Sequence, residues 1–224
     1  MGAETTGFLY RFIEADERDA ESLLADLAAS AEAQASQSRE LRADTLKRLS
    51  AEIEEIASKM ARRLFSGGRL FTFGDGGSAT VASCLAALFT SPPSGRVFPA
   101  RSLVADQATI TALGNDVGFE LVFARQLIVH SRPGDVAVGF STSGNSSNVL
   151  TAFAEAHRRG LYTVGLAGYE GGQMAVSTDI DHCLVVGSDS IHRIQETQDA
   201  VVLALWQQVQ DLVEHPKTAR QTEL

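Results

Sequence analysis

Two segments of this chain share one design, and that design dictates the kind of sheet it can build. Each is a short apolar run, then a loop of glycine and hydroxyl residues, then an apolar helical stretch. The first is Arg69–Phe73, the loop Gly74-Asp75-Gly76-Gly77-Ser78, and a helix over about Ala79–Phe89. The second is Val136–Phe140, the loop Ser141-Thr142-Ser143-Gly144-Asn145-Ser146, and a helix to about Arg159. Short apolar runs without alternation read as strands buried on both faces. Strands that alternate with helices are joined by crossovers, as in parallel sheets. The expectation is a doubly wound α/β fold with a parallel sheet covered on both sides.

The rest of the chain fits that frame. Tyr162–Leu166 and His182–Val186 read as further strands. Asp106–Leu113, ending at Gly114-Asn115-Asp116, and Gly118–His130 read as helices, and Ile191–Glu214 as a long closing helix. Upstream, Leu46, Leu49, Ile53, Ile56, Met60 and Leu64 recur at helical spacing on one face. Phe8, Leu9, Phe12, Ile13, Leu23, Leu24 and Leu27 hint at an earlier helix. Residues 1–66 are thus expected to form an N-terminal helical hairpin that serves oligomerisation or docks within the chain. Residues 67–224 are expected to form the sheet domain.

Charge and cysteine usage exclude several classes of function. A net charge of −9 argues against direct binding of nucleic acid, which recruits basic faces. An anion would have to be held by local dipoles instead. Cys84 and Cys183 are the two cysteines and form no CxxC pair, so neither a zinc ribbon nor a redox pair is indicated. No apolar run approaches the ~18 residues of a membrane span. The first residues lack a basic-then-apolar signal pattern, so a cytoplasmic location is expected.

Both glycine–hydroxyl loops should lie at the carboxyl edge of the sheet, where α/β proteins bind ligands. Each leads into a helix, whose first N–H groups and positive dipole end favour an anion. Serine and threonine hydroxyls donate to phosphate oxygens without adding charge. In the second loop their side chains are expected to face open solvent rather than the core. A single loop of this kind would be read as a helix cap and a tight turn. Two loops in one chain favour a phosphate site. No lysine follows either loop, which excludes a P-loop. Gly74-x-Gly76-x-x-Ala79 mimics a dinucleotide motif but leaves the second loop unexplained.

With GDGGS at 74–78, GND at 114–116, GDVAVGFSTSGNSSNV at 134–149, GYEGGQMA at 168–175 and RIQE at 193–196, the chain resembles the SIS (sugar isomerase) domain family. The likeness runs from about Gly67 to Val213. It is nearest to the phosphoheptose (sedoheptulose-7-phosphate) isomerases and to the DnaA-binding SIS proteins. That resemblance implies a five-stranded parallel sheet and a homotetramer with N-terminal helices in its centre. It implies a sugar phosphate held by Asp75, Gly76, Gly77 and Ser78, by Asn115 and Asp116, by Ser141, Thr142, Ser143 and Ser146, and by Gln195. Likeness to the DnaA-binding branch would add a protein partner.

The departures carry as much information. In the isomerases that the chain resembles, a His and a Glu on the helix after the first loop, with a Gln and a His on the last helix, hold zinc. That Glu and the last His also move protons. The matching positions here are Cys84, Leu88, Gln195 and Leu203. Two donors are too few for zinc, which takes at least three protein ligands. No metal or other cofactor is therefore expected, and the usual zinc mechanism is not. The loop Asn of the family is also replaced, by Asp75. Asp199 lies four residues after Gln195 on the same helix face, and His192 lies three before it. These two are candidates for a relocated base and acid, although a structural role is the plainer reading.

Overall fold

The computed structural model describes residues 20–215. The apolar residues Phe8, Leu9, Phe12 and Ile13 lie outside that range. The chain divides into two compact units, one up to Glu40 and one from Leu41 onward. In the first, the described residues form part of helix α1 (Ala20–Arg48), on which Leu24 and Leu27 are exposed. Helix α2 (Ser50–Phe65) follows directly. Leu49 N–H donates to Thr45 O and Ile53 N–H to Leu49 O, at 2.9 and 2.8 Å, so backbone bonding carries through the join.

The compact unit starts at Leu41 rather than at residue 67, because α2 belongs to its core. Ile53, Ile56, Met60 and Leu64 are all buried there, on the stripe that the sequence spacing marks. They pack with Val201, Val202, Leu205 and Val209 of the last helix, α7 (Ile191–Glu214).

Five parallel strands form the sheet: β1 (Leu70–Gly74), β2 (Ala100–Ser102), β3 (Val136–Ser141), β4 (Tyr162–Gly168) and β5 (His182–Val186). Their spatial order is β2-β1-β3-β4-β5. The edge strand β2 has no counterpart among the strands read from the residues. It pairs only Ala100–Ser102 with Leu70–Thr72 and is partly exposed, so it carries no apolar run.

Alternation along the strands feeds two cores. Leu70, Val136, Val138, Phe140, Val164 and Leu166 face α2, α7 and the helix α3 (Gly77–Thr90). Phe71, Phe73, Ala137 and Ala167 face α5 (Val122–His130) and α6 (Ser147–Arg158). Phe73 packs between Phe123 and Phe153, with ring centroids 5.6 and 5.2 Å away. Burying one such ring contributes about 1.5–3 kcal/mol. Between β2 and α5 run α4 (Gln107–Asp116) and a single 3-10 turn (Phe119–Leu121). A second 3-10 segment (Gly172–Val176) lies between β4 and β5.

At the amino edge of the sheet, Asp135 is fully buried. It accepts from Arg69 N–H and Arg69 Nη2 at 2.9 and 2.8 Å, and from Arg132 N–H at 2.9 Å. This carboxylate ties the start of β1 to the start of β3. Among the described residues no helix is long and apolar enough to cross a membrane.

Candidate functional site

The strand order reverses its direction of winding between β1 and β3, and α/β proteins open a crevice at the carboxyl ends of two such strands. Gly74 of β1 stands in register with Phe140 of β3. The next residues are Asp75 and Ser141, so the first residues of the two predicted loops are neighbours. The two glycine–hydroxyl loops share one crevice as a consequence of sheet topology.

The first loop ends on Gly76, the residue before α3, and no side chain caps that helix. Gly77 lies against the amide of Gln195, and a Cβ there would collide with it. A side chain at 77 would displace that amide, the movable end of Gln195, from the loop. Ser78 is buried, with its N–H donating to Asp75 O at 3.0 Å.

The second loop is knitted together by its own hydroxyls. Ser141 Oγ lies 2.9 Å from Ser146 Oγ and 3.4 Å from Ser143 Oγ. Ser146 stands at the start of α6 yet makes no capping bond with its side chain. The expectation that these side chains face open solvent holds for Ser143, which is exposed, and fails for Ser141, which is buried. Ser141 is still part of β3, and the strand carries its side chain inward.

A third segment braces this loop. Gly168 N–H donates to Thr142 O at 2.9 Å, Met174 N–H to Gly144 O at 3.0 Å, and Gln173 N–H to Asn145 Oδ1 at 3.0 Å. Gly144 has a φ of 65° and sits against the backbone of Gly171. A side chain at 144 would meet both strain and a clash.

Asn148 joins the two loops. Its Nδ2 donates to Asp75 Oδ1 at 2.8 Å from the first turn of α6. Burial pushes the Asp75 carboxyl above its ordinary range, and the Asn148 bond opposes that shift. Asp75 also lines a cavity of about 290 Å³ with Gly76, Gln107, Ile110, Thr111, Phe119 and Phe123. Asn148 is absent from the residues singled out in the sequence. A polar amide two residues past the serine loop, in the first turn of a predicted helix, was the available signal.

Other predicted site residues stand at varying distances from this centre. Asn115 and Asp116 end α4, are exposed, and bond to each other, Asn115 Nδ2 donating to Asp116 Oδ1 at 2.8 Å. They lie one turn past Thr111, which lines the cavity. His192, Gln195 and Asp199 share one face of α7, and of these His192 and Asp199 are exposed. Asp199 is near enough to Cys84 on α3 to push its thiol up, in addition to the larger effect of burial. Burial pushes the Asp199 carboxyl up as well.

A zinc ion does not fit this arrangement. Cys84, Leu88, Gln195 and Leu203 offer one thiol, one amide and two hydrocarbons, fewer than the three protein ligands that zinc takes. Among the described residues no group of three or more His, Cys, Asp or Glu could hold a metal ion.

Comparison with known proteins agrees with this architecture. The family model for the SIS domain matches residues 35–168. A phosphoheptose isomerase of Rhodospirillum rubrum is 41% identical over 155 residues, which cover 66% of this chain and 79% of that one. One from Aquifex aeolicus is 38% identical over 165 residues, covering 72% and 85%. The solved phosphoheptose isomerase of Neisseria gonorrhoeae superposes with a TM-score of 0.77 at 33% identity, over 83% of this chain and 99% of that one. The chain belongs to the SIS-domain family and is related to the phosphoheptose isomerases.

Proposed function

We propose that this protein binds a sugar phosphate in the crevice between the β1 and β3 loops, without a metal. The observation that carries the reading is the Asn148–Asp75 bond, which makes the two loops a single site. The phosphate is taken by the hydroxyls of Ser141, Thr142, Ser143 and Ser146 and by the amino end of α6, where the Ser146 side chain makes no capping bond. The sugar lies toward Gly76, Gly77 and Gln195, with Ser78 supporting the loop from below and Asn115 and Asp116 at its outer rim.

Aldose–ketose isomerisation needs a base near the carbon acid and a group that polarises the carbonyl. Leu88 and Leu203 supply neither. If the protein turns its ligand over, Asp199 and His192 are the residues placed on the Gln195 face to move the proton. A second reading has the same pocket serving a regulatory SIS protein that binds a protein partner, and Leu88 and Leu203 favour it. Self-association as a homotetramer through α1 suits either reading, because Leu24 and Leu27 are exposed on that helix.

A turnover assay with sedoheptulose 7-phosphate, with and without added zinc, separates these readings. Zinc-dependent turnover would overturn the metal-free reading. Zinc-independent turnover lost in Asp199→Asn supports the relocated pair, and ligand binding without turnover supports the regulatory protein. A monomer in light scattering at micromolar concentration would remove the tetramer.

A further inference from the structure

Asp75 is out of place beside a phosphate. A carboxylate next to a dianionic ester repels it, and neither loop contains a lysine or arginine to screen the two. Among the described residues no cationic side chain contributes to the ionisation of Asp75, which is governed by burial and by Asn148. Asn148 occupies Oδ1, and Oδ2 has no donor among the described residues. The protein holds this carboxylate half-buried, one oxygen fixed and one unoccupied, on the wall of a cavity of about 290 Å³. The remaining wall is largely apolar, with Val104, Ile110, Phe119 and Phe123.

A ligand that both fills the free oxygen of Asp75 and removes the repulsion brings a positive charge of its own. We propose that the site prefers the phosphate ester of an amino sugar, whose ammonium group binds Asp75 while its phosphate lies in the serine loop. The inference rests on the phosphosugar reading and names the substrate class within it. The ammonium stands between the two negative groups and neutralises the carboxylate. A neutral hydroxyl at the same place donates a hydrogen bond but leaves the repulsion. An N-acetylated amino sugar has lost the charge and gains nothing from Asp75.

Calorimetry at pH 7 tests this with glucosamine 6-phosphate, N-acetylglucosamine 6-phosphate and glucose 6-phosphate. Each is titrated into wild type, Asp75→Asn, and the double variant Ser141→Ala/Ser143→Ala. In wild type, glucosamine 6-phosphate should bind roughly tenfold or more tightly than glucose 6-phosphate, the size of one charge-assisted contact. The N-acetyl ester should show no such advantage. In Asp75→Asn the ratio of the two affinities should fall toward one. That variant keeps the shape of the side chain and an acceptor for Asn148, and the wild-type ratio needs no variant at all. Equal affinities in wild type, or a preference that survives Asp75→Asn, overturn the inference and leave the phosphosugar reading standing. If none of the three esters binds, or if binding ignores the double alanine, both fall together.

Discussion

Asn148 Nδ2 donates to Asp75 Oδ1 across 2.8 Å, and this bond links the loop after β1 to the helix after β3. The two residues are 73 positions apart in sequence. Parallel pairing of β1 with β3 brings them together. Asn148 does two things at once, since its Oδ1 also accepts from Val149 N–H at 2.9 Å. With both ends of its amide engaged, it holds Asp75 in one orientation.

The cost of burying Asp75 should be visible in stability. Its folded-state carboxyl lies above its ordinary value because of burial, so the folded protein binds this proton more tightly than the unfolded chain. Ionisation therefore reduces stability as the pH rises through the unfolded carboxylate range, and below that range the penalty is absent. Asp75→Asn should raise Tm at pH 7.5, at a rate of about 2–4 °C for each kcal/mol gained at this chain length. The gap to wild type should close as the pH is lowered below about 4. Differential scanning calorimetry across that range is the check. A lower Tm for the variant at neutral pH would show that the carboxylate is stabilised by a partner the structure does not display.

The serine loop should govern affinity, and metal should not. Each hydroxyl–phosphate bond is charge-assisted and worth on the order of 1.5–3 kcal/mol. Ser141→Ala with Ser143→Ala should therefore weaken a sugar phosphate by roughly 100-fold or more. The two substitutions differ in their effect on the fold. Ser143 is exposed and should be neutral, whereas Ser141 is buried and loses its bond to Ser146, at a cost of about 1 kcal/mol. EDTA should leave the affinity unchanged. Binding abolished by chelation but retained in the double alanine would refute the metal-free cradle.

What the sequence disclosed, and what it hid, follows from the range of the interactions involved. The two loops were legible because they are local: glycine, serine and an apolar strand sit within a dozen residues. Helix α7 was legible from end to end because its apolar stripe is long and periodic. β2 was hidden, since three half-exposed residues carry no pattern. That α2 joins the core of the unit starting at Leu41 was hidden, because its stripe is buried against α7, which lies more than a hundred residues downstream. The partnership of Asn148 with Asp75 is likewise a product of strand register, and neither residue's immediate neighbours reveal it. The inward turn of Ser141 depends on β3 extending one residue into the loop motif.

At the opposite edge of the sheet, Asp135 should be worth far more than a surface ion pair. It is fully buried and accepts from two backbone N–H groups and one guanidinium. Asp135→Ala strands those donors and should cost about 3 kcal/mol. That corresponds to a fall in Tm of roughly 6–12 °C. Asp135→Asn keeps some of the acceptors and should fall between the variant and wild type. Chemical denaturation measures both. A loss below about 1 kcal/mol for the alanine would mean that water replaces the carboxylate.

The relation between Cys84 and Asp199 gives a test of the α3–α7 face that requires no ligand. Cys84 is exposed, and its thiol is pushed up first by burial and then by the negative charge of Asp199. The thiolate is the nucleophile, so a raised pKa slows alkylation at a given pH. Removing the charge with Asp199→Asn leaves burial as the remaining cause and should speed iodoacetamide labelling of Cys84 at pH 8. Glu196→Gln removes a charge from the same helix, nearly one turn away, that does not act on the thiol, and should leave the rate unchanged. Cys183 is held up to about 12 by burial and should stay unlabelled while the protein is folded, which lets the rate at Cys84 be read by intact mass. If Asp199→Asn and Glu196→Gln label at the wild-type rate, Asp199 does not face Cys84. The proposed placement of Asp199 near the Gln195 side of the pocket would then have to be abandoned.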